Sequence, residues 1–331
     1  MADDRLTERK GAILQAVVEE YMATARPVGS GLVADQSELK VSSATVRKEL
    51  GALEEEGFLH QPHTSAGRVP TDKGYRYFID ALMGPSSLDI AQNQRIDEFF
   101  AHSHGELERI LRDTSRLLAG VTDYAAVVVA PRPDAARVRA VQLVSLEPRV
   151  VLMVVVLSNG GIERRTFELT VDMTEDEVGQ AQQLLAAAMI GNESPLLSGH
   201  AVVDDLVADA VAAYSQQDSL DGRVHVGGRS SVAGVFDETE TVAQVLQLFE
   251  RQFLVVTLIK DVLDRGLRVA IGAETGVQTL NECSLVVSPY QVEGEDAGSI
   301  GVLGPTHMNY PQALAAVAVI SNQLGDHLTR G

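Results

Sequence analysis

The sequence predicts a multidomain α+β protein that begins with a winged helix-turn-helix. Its 331 residues are enough for two or three domains, and a hydrophobic content of 45% supports large cores. Helical periodicity dominates as far as Gly57, whereas strand-like segments separated by turn residues recur from Tyr124 onward. This change of period indicates a small helical unit followed by a larger part that contains a sheet.

The first predicted helix covers residues 7–24. Thr7 is a suitable N-cap, and Arg26-Pro27-Val28-Gly29 ends the helix because proline and glycine interrupt helical structure. The apolar residues at helical spacing are Leu6, Ile13, Leu14, Val17, Val18 and Tyr21. They share one side of the helix, which predicts that this side packs on a core.

Two shorter helices follow. Ser30 can cap a second helix that carries Leu32 and Val33, and Ser42 and Ser43 lead into a third. The third helix places Val46, Leu50 and Leu53 at i, i+4 and i+7, so these three side chains are expected to be buried together.

A hairpin and a fourth helix complete the first unit. Residues 58–60 and 68–69 can pair as short strands across the turn region 61–67, and Thr71 can cap the next helix. Three helices followed by a hairpin is the order of a winged helix, which we expect to occupy residues 1–83. Gly84-Pro85-Ser86-Ser87 is typical of a linker.

Beyond the linker, the pattern predicts a sheet domain that a helical insertion divides. Long amphipathic helices are expected around residues 96–118, and a final helix at 311–328. The predicted strands are 124–130, 138–146, 149–158, 162–169, 284–292 and 298–304. Thr174 and Glu177 have capping-box spacing at the start of the helical insertion. The predicted sheet domain therefore comprises residues 88–170 and 225–331, with residues 171–224 inserted.

The charge distribution restricts any contact with nucleic acid to a local surface. The net charge is −19, and residues 1–83 contribute only −3 of it, from 10 Lys and Arg against 13 Asp and Glu. The remaining −16 lies downstream and repels a polyanion. A DNA-binding surface is therefore expected in the first 83 residues.

The N-terminal half of the third helix has the character of a DNA-reading surface. The predicted contacts are Ser43, Ala44, Thr45, Arg47 and Lys48. Small residues permit close approach to a groove, hydroxyl groups can reach phosphates, and an arginine can contact guanine in a bidentate manner. Glu54, Glu55 and Glu56 lie at the other end, which favours a helix that enters the groove tip first. The alternative interpretation of this acidic run is a solvated face.

The hairpin and its flank supply a second set of polar and basic residues. The predicted contacts are His60, His63, Thr64, Ser65, Arg68, Lys73 and Arg76. A cluster of this composition around the Gly67 turn suits contact with the DNA backbone beside the groove, as a wing would make.

Metal, redox and catalytic chemistry are not expected. His60 and His63 have the spacing of metal ligands but lie in a turn rich in proline and serine, so we predict no metal and no cofactor. Cys283 is the only cysteine, which excludes a disulfide within the chain and favours a buried, inert thiol. No nucleophile with a base and an orienting group is evident, so the protein is not expected to be an enzyme.

The cellular location expected from the sequence is the cytoplasm. The N-terminal Met-Ala-Asp-Asp-Arg is acidic and is not followed by an apolar segment typical of a secretory signal. The apolar run 150–157 is far shorter than the roughly 20 residues that span a bilayer. We expect no membrane partner.

Two segments, "LTERKGAILQAVVEEYMATARPVGS" and "VSSATVRKELGALEEEGFLHQPHTSAGRVPTDKGYRYFID", resemble the heat-inducible transcription repressor HrcA family. The stretch Gln61–Phe78 is the most specific part of the resemblance. The similarity is strong over about the first 80 residues and architectural over the rest. Lys48 stands where the family usually has asparagine.

The resemblance implies a GAF-like domain with an inserted dimerising domain behind the winged helix. It also implies a homodimer on a double-stranded operator with an inverted repeat of the CIRCE type, repression of chaperone operons, and dependence on the chaperonin GroE. The residues suggest a reason for that dependence, because the uncharged run 150–157 is prone to aggregate when exposed during folding. The alternative is a repressor that senses a metabolite through its GAF-like domain.

Overall fold

The computed structural model describes residues 6–36, 42–63, 67–84, 87–131, 138–157, 162–190, 198–215, 224–236 and 239–330. Its N-terminal unit contains three helices, a two-stranded hairpin and a fourth helix. These elements are α1 (Glu8–Thr24), α2 (Ser30–Gln36), α3 (Ser43–Glu55), β1 (Leu59–His60), β2 (Val69–Pro70) and α4 (Asp72–Tyr77), which continues as a π-helical turn (Phe78–Leu82). The predicted order of elements is confirmed, whereas Pro85 and Ser86 of the predicted linker lie outside the described residues.

The caps predicted for the first and fourth helices are present. The hydroxyl oxygen of Thr7 accepts a hydrogen bond from the Lys10 amide, and that of Thr71 accepts one from the Gly74 amide at 3.2 Å. Each bond satisfies a backbone donor that has no partner within the helix. The core of this unit is apolar, and its buried residues include Ile13, Leu14, Val17, Val18, Val46, Leu50, Leu53, Phe58 and Phe78.

The larger part of the chain is built around a five-stranded antiparallel sheet. Its strands are β3 (Ala125–Val129), β7 (Val224–Gly227), β8 (Val269–Ile271), β9 (Cys283–Val292) and β10 (Glu295–Pro305). They lie in the order β7-β3-β10-β9-β8. Its longer helices are α5 (Ile90–His102), α6 (Leu107–Thr122), α9 (Arg229–Val235), α10 (Thr239–Glu250), α11 (Gln252–Asp264) and α12 (Tyr310–Arg330). Short 3-10 turns at Gly272–Thr275 and Gln278–Leu280 link β8 to β9.

Helices cover both faces of this sheet. In β3, Ala126 and Val128 join a core with residues of α5, α6 and α12, whereas Ala125 and Val127 join a second core with residues of α9, α10 and α11. Alternation along the strand explains the division, because successive side chains point to opposite faces. The first core also includes the buried residues of the N-terminal unit, so the two units share one continuous apolar core.

A separate unit is inserted between β3 and β7. It contains a three-stranded antiparallel sheet of β4 (Val138–Glu147), β5 (Val150–Leu157) and β6 (Ile162–Glu168), followed by α7 (Glu175–Ile190) and α8 (Ala201–Ser215). Its core is its own, formed by residues such as Val151, Met153, Ala181 and Leu206.

The boundary predicted for the insertion was therefore wrong. Residues 138–170 were assigned to the sheet domain, yet β4, β5 and β6 pair only with one another and pack on α7 and α8 within the described residues. Periodicity identified the strands but does not specify which sheet a strand joins, because that depends on long-range pairing.

No single helix in the described ranges is long and apolar enough to cross a bilayer. The pair α10 and α11 reaches the required length and composition only when the two are counted together, and they are bent by 97°.

Candidate nucleic-acid interface

Helix α3 presents two different faces. Val46, Leu50 and Leu53 are buried, as their spacing predicted. Its N-cap is Ser42, whose hydroxyl oxygen accepts a hydrogen bond from the Thr45 amide at 3.2 Å. The Thr45 hydroxyl lies 3.0 Å from the same oxygen, so both hydroxyl groups lie at the tip of the helix.

The exposed face of α3 is basic at its N-terminal half. Ser43, Ala44, Arg47 and Lys48 are exposed, and Thr45 is partly buried. Within the described ranges, neither Arg47 nor Lys48 forms an ion pair, so both charges are available to a ligand. Five residues predicted to contact DNA therefore lie together at one end of one helix.

The hairpin is attached by its backbone to Val28, in the link between α1 and α2. Leu59 pairs with Pro70 and His60 with Val69, and Val28 forms an isolated bridge with Arg68 through two hydrogen bonds of 2.8 and 2.9 Å. Gly67 fits this place because a Cβ atom there would lie 2.4 Å from the carbonyl carbon and oxygen of Val28. The close approach of two backbones thus requires glycine at the base of the turn.

The predicted hairpin residues are in different environments. His60 and His63 are exposed, which leaves their imidazoles accessible to solvent. Thr64 and Ser65 lie outside the described residues. Among the described residues, no group of three or more His, Cys, Asp or Glu side chains could hold a metal ion.

Arg68 is held by α3. Its Nη2 lies 2.9 Å from Oε2 of Glu54, and only 19% of its side chain is exposed. Lys73 is anchored nearby, because its ammonium group donates to the carbonyl oxygen of Glu56 at 3.2 Å and lies 4.3 Å from the ring centroid of Phe58. Both residues therefore stabilise the base of the hairpin in addition to carrying positive charge.

Arg76 requires a correction to the predicted interface. Its Nε donates to Oε1 of Glu274 at 3.0 Å, and its Nη2 donates to the carbonyl oxygen of Val269 at 2.7 Å. Its Nη1 lies 3.4 Å from Oδ1 of Asp80, one helical turn later in the chain. The guanidinium is thus committed to a contact with the sheet domain, and we do not retain Arg76 among the DNA-contacting residues.

The acidic end of α3 is largely paired within the N-terminal unit. Glu54 contacts Arg68, and Glu56 contacts Lys10 of α1. Glu49 lies 3.8 Å from Arg9. These ion pairs hold α1, α3 and the hairpin together, a role that neither sequence interpretation of the acidic run included.

The lone thiol is buried. Cys283 begins β9 and has no exposed surface. Desolvation, with a smaller effect of the neighbouring Glu282, raises the pKa of this thiol to about 12. The predicted burial of this thiol is confirmed, and with its pKa raised we expect little of the reactive thiolate at neutral pH.

A cleft of about 790 Å³ separates part of the N-terminal unit from the sheet domain. The hairpin and the start of α4 line one wall, and residues around Glu282 and Thr306 line the other. Beside the cleft, the rings of Tyr75 and Tyr310 lie 5.7 Å apart, and those of Tyr21 and His307 lie 5.9 Å apart. The two units thus meet through aromatic contacts as well as the Arg76 ion pair.

Comparison with known proteins supports one family. Residues 108–314 match the family model described as HrcA protein C terminal domain. A heat-inducible transcription repressor HrcA from Nocardia farcinica is 36% identical over 338 residues, which cover 97% of this chain and 96% of that protein. The chain belongs to the HrcA family. A second HrcA repressor, from Pelotomaculum thermopropionicum, is 33% identical and covers 98% of both chains.

A solved structure shows that the HrcA chain described here shares its fold with another protein. The crystal structure of a hypothetical protein superposes with a TM-score of 0.68 and 21% identity, covering 98% of this chain and 99% of that one. The family match rests on sequence over nearly the full length, whereas this superposition supports the fold alone.

Proposed function

We propose that this HrcA family member is a cytoplasmic, dimeric transcription repressor that binds an inverted-repeat operator of the CIRCE type. The observation that carries the proposal is the exposure of Arg47 and Lys48 at the N-terminal half of α3, where neither forms an ion pair with any residue of the described ranges. In a winged helix-turn-helix, this part of the recognition helix reaches the base edges of the major groove. The order of three helices and a hairpin in the N-terminal unit supports this part of the proposal.

The electrostatics favour docking by this surface alone. Most of the net charge of −19 lies outside residues 1–83, so the remaining surface of the protein is repelled by DNA. The positive end of the α3 dipole and the hydroxyl groups of Ser42 and Ser43 favour a phosphate beside the groove. His60 and His63 are also exposed, and they are proposed to contact the DNA backbone beside the groove, although His60 lies on the wall of the interdomain cleft.

The inserted unit provides a surface for the second copy. One face of its sheet packs on α7 and α8 through Val151, Met153, Val155 and Leu157. The opposite face has an apolar stripe on β4 and β5, with Ile162 at one end of β6, whose other residues on this face are Arg164, Thr166 and Glu168. The apolar residues are Val144, Leu146, Leu152, Val154, Val156 and Ile162. Leu146 is 55% exposed and Ile162 46% exposed. Burying such a face against its copy would remove apolar surface from water.

Sedimentation tests the dimer. Leu152→Asp places a charge in the middle of this face, where its strand neighbours are Val144 and Thr166. We expect the variant to sediment as a monomer at concentrations at which the wild type is a dimer. Ile190→Asp, at an exposed position at the end of α7, is the matched control and should remain dimeric. A dimeric Leu152→Asp variant would exclude this face as the interface.

Footprinting tests operator binding. DNA fragments from upstream of chaperone genes in the source genome would be digested in the presence of the refolded, full-length protein at low ionic strength. We expect two protected half-sites related by two-fold symmetry, with lower affinity for fragments in which one half-site is scrambled. Uniform protection, or none on any symmetric sequence, would contradict the proposal.

The chaperonin part of the proposal is supported by the composition of β5. Its eight residues carry no charge and no proline, and its strand partners on both sides must be in place before it is covered. Operator affinity measured with and without GroE during refolding separates the two regulatory hypotheses. Chaperonin dependence predicts a larger active fraction with GroE, whereas a metabolite sensor would be indifferent to it.

A further inference from the structure

The N-terminal unit is fastened to the sheet domain by a small group of polar contacts that we call the interdomain clamp. It consists of Asp72 and Arg76 on α4 and of Gly272, Ala273 and Glu274 in the turn after β8. The Ala273 amide donates to Oδ2 of Asp72 at 3.2 Å, and Arg76 donates two hydrogen bonds to the carboxylate of Glu274. Two parallel bonds between a guanidinium and a carboxylate fix orientation as well as distance.

The turn that receives α4 is itself held in place. The Ile271 amide donates to Oε2 of Glu274 at 3.0 Å, and Nη2 of Arg265 donates to the Glu274 carbonyl oxygen at 2.7 Å. Gly272 has a φ of +49°, and a Cβ atom there would lie 2.3 Å from the Asp72 carboxylate. The clamp therefore requires glycine both for the backbone conformation and for the approach of Asp72.

The N-terminal end of α4, where Asp72 lies, is also connected to the residues that follow α3. The Thr71 hydroxyl donates to the Gly57 carbonyl oxygen at 2.7 Å, and the Thr71 amide donates to the Phe58 carbonyl oxygen at 3.1 Å. Gly57 and Phe58 follow α3 directly. Lys73 adds its bond to the carbonyl oxygen of Glu56. A short, hydrogen-bonded path thus runs from the sheet domain through α4 to the end of α3.

From this path we infer that the interdomain clamp determines which half-site spacing the dimer accepts. The inference rests on the proposed function, since it concerns two copies of α3 on one operator. Each base pair inserted between half-sites moves one of them by about 3.4 Å and rotates it by about 34° around the DNA axis. The sheet domain in turn contacts the inserted unit, where Arg164 of β6 lies 3.8 Å from Glu106 beside α6. If α3 is fixed relative to the sheet domain and to the proposed dimer face on the inserted unit, only one spacing lets both copies bind without strain. A loosened clamp lets the second copy follow a displaced half-site.

Asp72 and Arg76 are accordingly positioning residues that act through α3 and do not touch DNA. This separates them from Arg47, whose loss should weaken binding to a single half-site. Loss of the clamp should leave single half-site binding unchanged and alter only the dependence on spacing. A contribution to stability alone would lower every affinity by the same factor through the folded fraction.

The test measures the affinity of full-length protein for operators whose two half-sites, taken from the footprint, are separated by the natural spacing or by one to three extra base pairs. A fragment with one half-site is included. Glu274→Gln removes the negative charge that faces Arg76 but keeps one oxygen that can accept a hydrogen bond. Gly272→Ala places a methyl group where the Asp72 carboxylate approaches. Asp80→Asn is the matched control, because it removes the other acidic partner of Arg76 within the same unit.

We expect the wild type and Asp80→Asn to prefer the natural spacing by the same ratio. In Glu274→Gln and Gly272→Ala, this ratio should fall by about fivefold or more, with unchanged binding to the single half-site. Equal spacing ratios in all four proteins would overturn the inference and leave the proposed function intact. Failure of the wild type to bind any operator would instead refute the proposed function.

Discussion

Arg68 of the hairpin and Glu54 of α3 form an ion pair, with 2.9 Å between Nη2 and Oε2. The pair joins the two elements that the sequence predicted to contact DNA. Arg68 also forms the backbone bridge with Val28, so it connects α3, the hairpin and the link between α1 and α2. Its main contribution is therefore to the arrangement of the interface, and Arg47 is the stronger candidate for a direct contact.

Replacing Arg68 should loosen the hairpin. Arg68→Ala removes a partly buried charge and leaves Glu54, 35% exposed, without its partner, which we expect to cost about 1–2 kcal/mol of local stability. Hydrogen exchange of the Val28 amide, which bonds to the Arg68 carbonyl oxygen, measures this loss. An increase of about 5- to 30-fold in the exchange rate is expected. Arg47→Ala is the control and should leave that amide unchanged; equal protection in all three proteins would show that the ion pair contributes nothing.

Replacing Arg47 should affect sequence discrimination. Arg47→Ala removes an exposed guanidinium from the face of α3 that we propose enters the groove, so specific binding should weaken by about 1–3 kcal/mol while binding to random DNA changes little. Competition between labelled operator and random duplex gives both values.

Lys48→Ala provides the contrast at the neighbouring position. If Lys48 contacts a phosphate, its loss should weaken operator and random DNA alike and reduce the slope of log affinity against log salt by about one. Identical losses on both DNAs for Arg47→Ala would argue against its role as a reader of bases.

The sequence predicted local structure well where local patterns determine it. The caps Thr7 and Thr71, the buried triad of Val46, Leu50 and Leu53, and the hairpin pairing all follow from short-range spacing.

Features that depend on distant pairing could not be predicted. Arg76 looked like part of a basic cluster because its partner Glu274 lies 198 residues away in the chain. The same limitation assigned β4, β5 and β6 to the wrong sheet, since each has the alternation expected of a strand in either sheet. The proposed reading face of α3 was accessible to prediction because all its residues lie within two helical turns.

Cys283 should resist thiol reagents in the folded protein. With a pKa of about 12, the fraction of thiolate at pH 8 is on the order of one in ten thousand, and the side chain is fully buried. We expect labelling by a maleimide to follow the rate of unfolding and to become rapid in concentrated urea. Prompt labelling under native conditions would show that β9 opens readily or that the thiol is accessible.

Asp72 should make the stability of the clamp depend on pH. Desolvation raises the pKa of its carboxyl group above 3.8, the Ala273 amide opposes this, and the charge of Glu274 raises it further. A raised pKa in the folded state means that the ionised form is the less favourable one in the fold. The resulting loss of folding stability is complete above the pKa that Asp72 has in the folded state. It disappears as the pH falls from this pKa to the lower pKa of the unfolded chain.

Asp72→Asn removes this penalty while keeping an oxygen that can accept the hydrogen bond from Ala273. The variant should therefore be more stable than the wild type at pH 7, and the difference in melting temperature should shrink as the pH is lowered from 6 towards 4. Asp80→Asn is the control, because Asp80 is exposed and lies outside the contact with Ala273. A difference for Asp72→Asn that is constant over this range, or that grows at low pH, would show that the Asp72 carboxylate is stabilised by the clamp, and the electrostatic account of the contact would have to be reversed.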